Sequence, residues 1–264
     1  MSRPRGKFSA DPPPAPRVTL PVLGVPIDVV NQAEAVRRIA DWGSRRESRV
    51  VCICNVHSVV TATRDPALQA ALSRADMATP DGAPVAWMLR RQGAAGQQRV
   101  SGPDLMLAYC AHAAATGEPI FLYGSTTATL DLLQQHLHER WPALHIAGAL
   151  SPPFRALSPA EEDEIRATIH RSGARTVWVG LGCPKQELWM SRQRGQLNAV
   201  MLGVGAAFDF HAGTMPRAPR WMQQYGLEWL HRLASDPRRL WRRYLVTNTL
   251  FIVAVVRDRF GRAP

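Results

Sequence analysis

Between residues 117 and 210 short apolar runs alternate with longer amphipathic segments, and this rhythm constrains the fold more than any other feature of the sequence. Residues 119–125 (PIFLYGS), 144–150 (LHIAGAL), 176–182 (TVWVGLG) and 199–210 (AVMLGVGAAFDF) read as strands, the last with its exit loop. The stretches between them read as helices, and Ser158 with Glu161 forms a capping box before one of them. Strands that are apolar throughout and separated by helices imply a parallel sheet covered on both faces. Ligands of such sheets sit beyond the C-terminal strand ends. Here those ends are Gly124-Ser125, Gly180 to Gln186 and Gly203 to Asp209.

The first part of the chain follows the same logic less regularly. Residues 18–30 are strand-like around a Gly/Pro turn, and Asn31 with Glu34 marks a helix start running to about Trp42. A buried strand at 50–54 ends near Asn55 and passes into a helix, and residues 64–76 form a further amphipathic helix. The stretches 77–91 and 97–117 each read as a loop followed by a helix. The expected fold class is therefore α/β, a Rossmann-like parallel sheet with helices on both faces. Four regions are expected: a disordered, basic, Pro-rich tail (1–17), an N-terminal α/β half (18–116), a nucleotide-binding half (117–213) and a helical basic appendage (214–264).

At 264 residues and 46% hydrophobic, the chain is long and apolar enough to bury a sizeable core. Its net charge of +11 is concentrated at the two ends. Residues 214–264 hold ten Arg and no Lys against Glu228, Asp236 and Asp258, so a negatively charged partner is expected there. Cys52, Cys54, Cys110 and Cys183 lack metal-ligand spacing and read as reduced core residues, so no zinc is expected. No secretory leader is apparent, and no run reaches the ~18 apolar residues of a membrane span. The segment 245–256 is too short and carries Thr-Asn-Thr.

Each motif has a functional and a plain reading. In residues 180–187 (GLGCPKQE), Gly180 and Gly182 would let the backbone approach a diphosphate, with Lys185 and Gln186 binding phosphate or sugar oxygens. A plain strand-to-helix turn explains the same letters. Lys185 also stands where a dinucleotide fingerprint needs its third glycine. Gly203 and Gly205 end a strand with small residues where a flat base would lie, and Asp209 is either a ribose ligand or a cap. Asp81, between Pro and Gly, is either a general base or a turn residue. The chain has no D-x-D pair to hold a divalent metal, so a departing diphosphate would rely on Arg, Lys and backbone N–H groups.

The appendage reads as helices in which Trp221, Tyr225, Trp229 and Leu233 recur at i+4 and would form one aromatic-apolar stripe. Arg238, Arg239, Arg242 and Arg243 flank Trp241 and Tyr244. Core packing, nucleic-acid binding and an anionic lipid surface all suit this mixture, and the apolar segment that follows favours lipid.

Taken in order, Asn55, the PDGAPV around Asp81, RVSGPDLM from Arg99, FLYGS, VGLGCPKQELWM, GVGAAFDFHAG and the Arg/Trp stretch at 217–244 resemble the WecG/TagA/CpsF glycosyltransferases (glycosyltransferase family 26). The resemblance spans roughly residues 20–250. It implies an inverting, metal-independent transfer from a UDP-sugar donor to a polyprenyl-diphosphate-linked acceptor during assembly of a surface polysaccharide. No cofactor is implied, and the place of reaction is the cytoplasmic membrane surface. By position, Asp81 becomes the base, Asn55 and Gln186 line the sugar site, and Arg99 with Arg217 or Arg232 binds the diphosphate; Gly124 and Ser125 belong to the same strand-end set. One departure stands out: many members have Thr two residues before the Asn, where this chain has Ile53.

Three rivals compete. A Rossmann oxidoreductase needs a fuller glycine fingerprint, and a nucleic-acid-binding protein leaves the neutral α/β body without a purpose. A non-catalytic, nucleotide-binding membrane scaffold is the third, and association of copies through the Arg/Trp stripe is an option under any of them.

Overall fold

A computed structural model describes residues 16–260. The tail at 1–17 therefore lies outside the described residues except for its last two. Arg17 is not loose: its guanidinium makes two hydrogen bonds to Asp28 and one to the Ala75 carbonyl.

Strands β1 (Thr19–Val22) and β2 (Val25–Asp28) form an antiparallel hairpin. Six further strands form one parallel sheet: β3 (Arg49–Cys54), β4 (Met77–Pro80), β5 (Ile120–Gly124), β6 (Ile146–Leu150), β7 (Thr176–Gly180) and β8 (Val200–Gly203). Their spatial order is β4-β3-β8-β7-β5-β6. The last strand in sequence thus enters the middle of the sheet, joining the strands before residue 116 to those after it.

Alternation along each strand divides the core into two layers. Val50, Cys52, Cys54, Phe121, Tyr123, Val177, Val179 and Met201 face one layer. It is covered by α2 (Val56–Ala62), α3 (Pro66–Ser73), α4 (Ala83–Arg91), α7 (Pro159–Ser172) and α8 (Lys185–Gln193). Val51, Ile53, Met77, Leu122, Trp178 and Leu202 face the other. There the cover is α1 (Gln32–Ser44), α5 (Gly102–Thr116), α6 (Thr127–Arg140) and α9 (Ala207–His211). The helix starts follow local chemistry. Asn31 accepts from the Glu34 N–H, and the capping box of Ser158 and Glu161 is formed.

Two local readings change. Met77–Pro80 is an edge strand, made so by full burial against β3, although it is only four residues long and ends in Pro. Residues 207–211 form the short helix α9 and not an exit loop.

The appendage contains α10 (Arg220–Gln224), α11 (Glu228–Ser235) and α12 (Pro237–Phe260). The aromatic stripe does not run along one helix. Gly226, at φ +72°, breaks it, leaving Trp221 on α10, Tyr225 at its C-terminal cap, and Trp229 with Leu233 on α11. A Cβ on Gly226 would stand 2.7 Å from that of Ala83, so the break is also where the appendage touches the body. Helix α12 packs against α2 and buries Leu240, Thr247 and Phe251. Burial of Phe251 alone contributes roughly 2 kcal/mol to holding it there. The outward face of α12 shows Trp241, Leu245, Val246, Ile252, Val253 and Val256 to solvent. No helix among the described residues is long and apolar enough to cross a membrane.

Candidate functional site

From β3 across to β6, each pair of neighbouring strands sends its next helices to opposite faces, and two of these points carry the motif residues. One lies between β5 and β7, followed by α6 and α8; the other lies between β3 and β8, followed by α2 and α9. Crevices for ligands open at such points, beyond the C-terminal strand ends.

At the second crevice, β3 ends and Asn55 caps α2, its Oδ1 accepting from the Ser58 N–H at 3.2 Å. On the adjacent strand Asp81 follows β4, and its N–H donates to the Cys54 carbonyl at 3.0 Å. Strand pairing thus sets the two side chains together, and the Asn55 amide donates to the Asp81 carboxylate. Gly82, at φ +82°, turns the chain directly into α4. Burial lifts the Asp81 carboxyl to a pKa of about 6, with the negative charge of Glu228 adding to the lift; Arg99, the Asn55 hydrogen bond and Arg232 oppose it.

The arginines arrive from two directions. Arg99 precedes α5, while Arg217 and Arg232 come from the appendage. Arg99 donates to Glu228 and Gln223, each at 3.0 Å. Arg217 pairs with Asp104 at 2.7 Å, and Asp104 also takes a hydrogen bond from the Ser101 hydroxyl. Burial works against the charge on Arg217, yet Asp104, Glu228 and Asp81 together hold its pKa above the ordinary value. The buried Nε and Nη2 of Arg217 and the Nε of Arg232 have no hydrogen-bond partner among the described residues. Buried guanidinium donors left open in this way call for an anion. Arg232 also lies over the Phe210 ring, 5.5 Å from its centroid.

At the first crevice, the exits of β5 and β7 touch. The Ser125 N–H donates to the Gly180 carbonyl at 3.2 Å, and a Cβ on Gly124 would fall 2.7 Å from the Gly180 carbonyl carbon. Gly124 is therefore required by the fold itself. Gly180 and Gly203 are likewise held close by internal neighbours, the Phe208 ring and the Met190 and Gln186 side chains. Gly182 differs: it has φ +78° and open space where a Cβ would point.

Gln186 is buried, its Oε1 accepting from the Gly182 N–H at 3.1 Å and its Nε2 donating to Glu187 at 2.9 Å. The amide thus braces the loop, and it also lies against Gly205. Lys185 begins α8 with an exposed side chain, and Asp209 lies half-buried in α9. The structure brings Asp81, Asn55, Arg99, Arg217 and Arg232 together, and Gln186 with the Gly182 and Gly205 loops, while Lys185 lies on α8 and Asp209 on α9.

Glu228, Gln223 and Asp104 were not singled out by sequence. The signal for Glu228 was its isolation as one of three acids in a stretch with ten Arg. Nothing local marks the other two. Among the described residues no three His, Cys, Asp or Glu side chains cluster in a way that would hold a metal ion.

A carboxylate and several arginines at the carboxyl end of a parallel α/β sheet form the kind of site used for group transfer from phosphorylated donors. The chain belongs to the WecG/TagA/CpsF family of glycosyl transferases, whose sequence model matches residues 20–264. Membership makes it a glycosyltransferase of surface polysaccharide biosynthesis.

Proposed function

We propose that this protein transfers a sugar from a UDP-sugar to a hydroxyl of a polyprenyl-diphosphate-linked saccharide, with inversion and without a metal, at the cytoplasmic face of the membrane. The observation that carries the proposal is the pairing of Asp81 with open guanidinium donors. A carboxylate with a pKa near 6 stands beside Asn55, within the electrostatic reach of Arg99, Arg217 and Arg232. A base poised near the working pH suits removal of a proton from an acceptor hydroxyl. The unpartnered donors of Arg217 and Arg232 suit the charge that develops on the departing UDP.

In this mechanism Asp81 takes the acceptor proton as the oxygen attacks the anomeric carbon. The bond to the UDP oxygen breaks on the opposite face, and the arginines receive the released negative charge. Asn55 holds the Asp81 carboxylate in line through its amide. Gln186 braces the Gly180–Gly182 turn by holding the Gly182 N–H, and the open space at Gly182 lets the donor approach the backbone there.

Membrane attachment rests on the outward face of α12, where Trp241, Leu245 and Ile252 are exposed and Arg238 and Arg242 lie on the same exposed side. This helix packs on α2, the element capped by Asn55, so a lipid-linked acceptor held by the same surface would be delivered near the site. The test is UDP release by the full chain with anionic vesicles carrying a polyprenyl-diphosphate saccharide. Release that needs both a particular UDP-sugar and the acceptor supports the proposal. UDP binding without release under any donor would favour the scaffold reading.

A further inference from the structure

Glu228 is the first residue of α11, where a carboxylate ordinarily faces solvent and interacts with the helix dipole. Here it does something else. Its side chain is only 21% exposed and crosses to Arg99, 129 residues earlier, with Nη1 to Oε2 at 3.0 Å. Its other oxygen lies 3.8 Å from Nε of Arg217, an ion-pair distance too long for a hydrogen bond. One carboxylate therefore sits between the two arginines assigned to the diphosphate, satisfies the first, and leaves donors of the second open.

We propose that Glu228 is a resident counter-anion: it occupies the place of the donor diphosphate between Arg99 and Arg217 and yields that place when the donor binds. The inference rests on the diphosphate reading of these arginines. Three carboxylates (Asp81, Asp104, Glu228) already face three guanidinium groups (Arg99, Arg217, Arg232), so the ionised site is balanced before any ligand arrives. A diphosphate adds at least two negative charges, and in a half-buried site like charges at close range repel strongly. Asp104 is anchored by the Ser101 hydroxyl and by Arg217, and Asp81 by Asn55 and its strand. Glu228 is held through the arginines themselves. It begins a helix that has no side-chain cap, two residues after Gly226. In the free protein the same contact holds the appendage down on the body, helped by Gln223 on Arg99. Glu228 is thus a positioning residue that keeps the arginines aligned for an anion while leaving donors of Arg217 open.

The test is calorimetric titration of UDP into the full chain and its Glu228→Gln variant, which keeps the shape and removes the charge. The proposal expects UDP to bind about tenfold tighter to the variant. Glu228→Ala should tighten it in the same direction, and hydrogen exchange of residues 228–235 without UDP should be faster than in the wild type. A purely structural tether predicts the opposite sign, because loosening the appendage would weaken binding. Wild-type binding with unchanged or weaker binding in both variants overturns the counter-anion role and leaves the donor site standing. Absence of UDP binding to the wild type removes the donor-site reading and this inference with it.

Discussion

The Asp81 backbone N–H donates to the Cys54 carbonyl at 3.0 Å, so the carboxylate is fixed beside Asn55 by the ladder of β3 and β4 and not by a loop of its own. A catalytic group held this way is positioned by the stability of the sheet. Its geometry should survive changes in the side chain.

Replacing Asp81 with Asn should therefore leave UDP affinity within about threefold and lower turnover by roughly 10²–10⁴, the usual share of a general base. Single-turnover kinetics with saturating donor would measure this. Full turnover in the variant would remove Asp81 from the role.

The pH dependence has a definite sign. Burial raises the Asp81 pKa to about 6, so the base is lost to protonation as pH falls through that value. The acid limb of kcat/KM should fall about tenfold per unit below pH 6. For stability the sign is reversed. The ionised carboxylate is disfavoured in the fold, so this group stabilises the protein as pH falls from about 6 towards the ordinary carboxylate range. Asp81→Asn should accordingly raise Tm at pH 8, and the gain should shrink at pH 5. Differential scanning calorimetry at the two values tests it.

Arg217 should be irreplaceable by lysine. Its Nη1 holds Asp104 while Nε and Nη2 stay open, a division of labour that a single ammonium cannot reproduce. Both Arg217→Lys and Arg217→Ala are expected to weaken UDP binding at least tenfold. UDP affinity in Arg217→Lys equal to wild type would show that charge alone suffices. EDTA should leave turnover of the wild type largely intact if arginines carry the diphosphate charge, and a strict Mg²⁺ requirement would count against them.

How much of this was legible in the sequence follows from where each signal lies. The parallel sheet could be read because its strands are apolar on both faces and its helices carry caps such as Ser158 with Glu161. β4 escaped because Met77–Pro80 is short and owes its extended form to pairing with β3, which no local pattern announces. The Trp221–Leu233 stripe misled for the converse reason: the i+4 spacing is real, but Gly226 at φ +72° packs against Ala83 and ends the helix. Asp81 and Arg99 were visible through motif resemblance. The Arg99–Glu228 contact joins residues 129 apart and has no periodicity to betray it.

That break at Gly226 supplies its own prediction. An Ala there would carry a Cβ 2.7 Å from Ala83 on a backbone with positive φ, so it should destabilise the docked appendage by about 1–2 kcal/mol. Faster proteolysis within 220–235, with the sheet core unchanged by hydrogen exchange, would record it. Unaltered proteolysis would mean that the contact does not hold the appendage.

On the outer face of α12, Leu245 and Ile252 are each 61% exposed. Substituting both with Glu should reduce co-sedimentation with anionic vesicles about tenfold or more while leaving Tm nearly unchanged, since neither side chain supports the core. Retained vesicle binding would direct attention to self-association through this face.

The most direct measurement is UDP release by the full chain against a panel of UDP-sugars, with and without a short-chain polyprenyl-diphosphate saccharide. The account predicts release with one sugar, dependent on acceptor and abolished in Asp81→Asn. Absence of both release and UDP binding across the whole panel would contradict it.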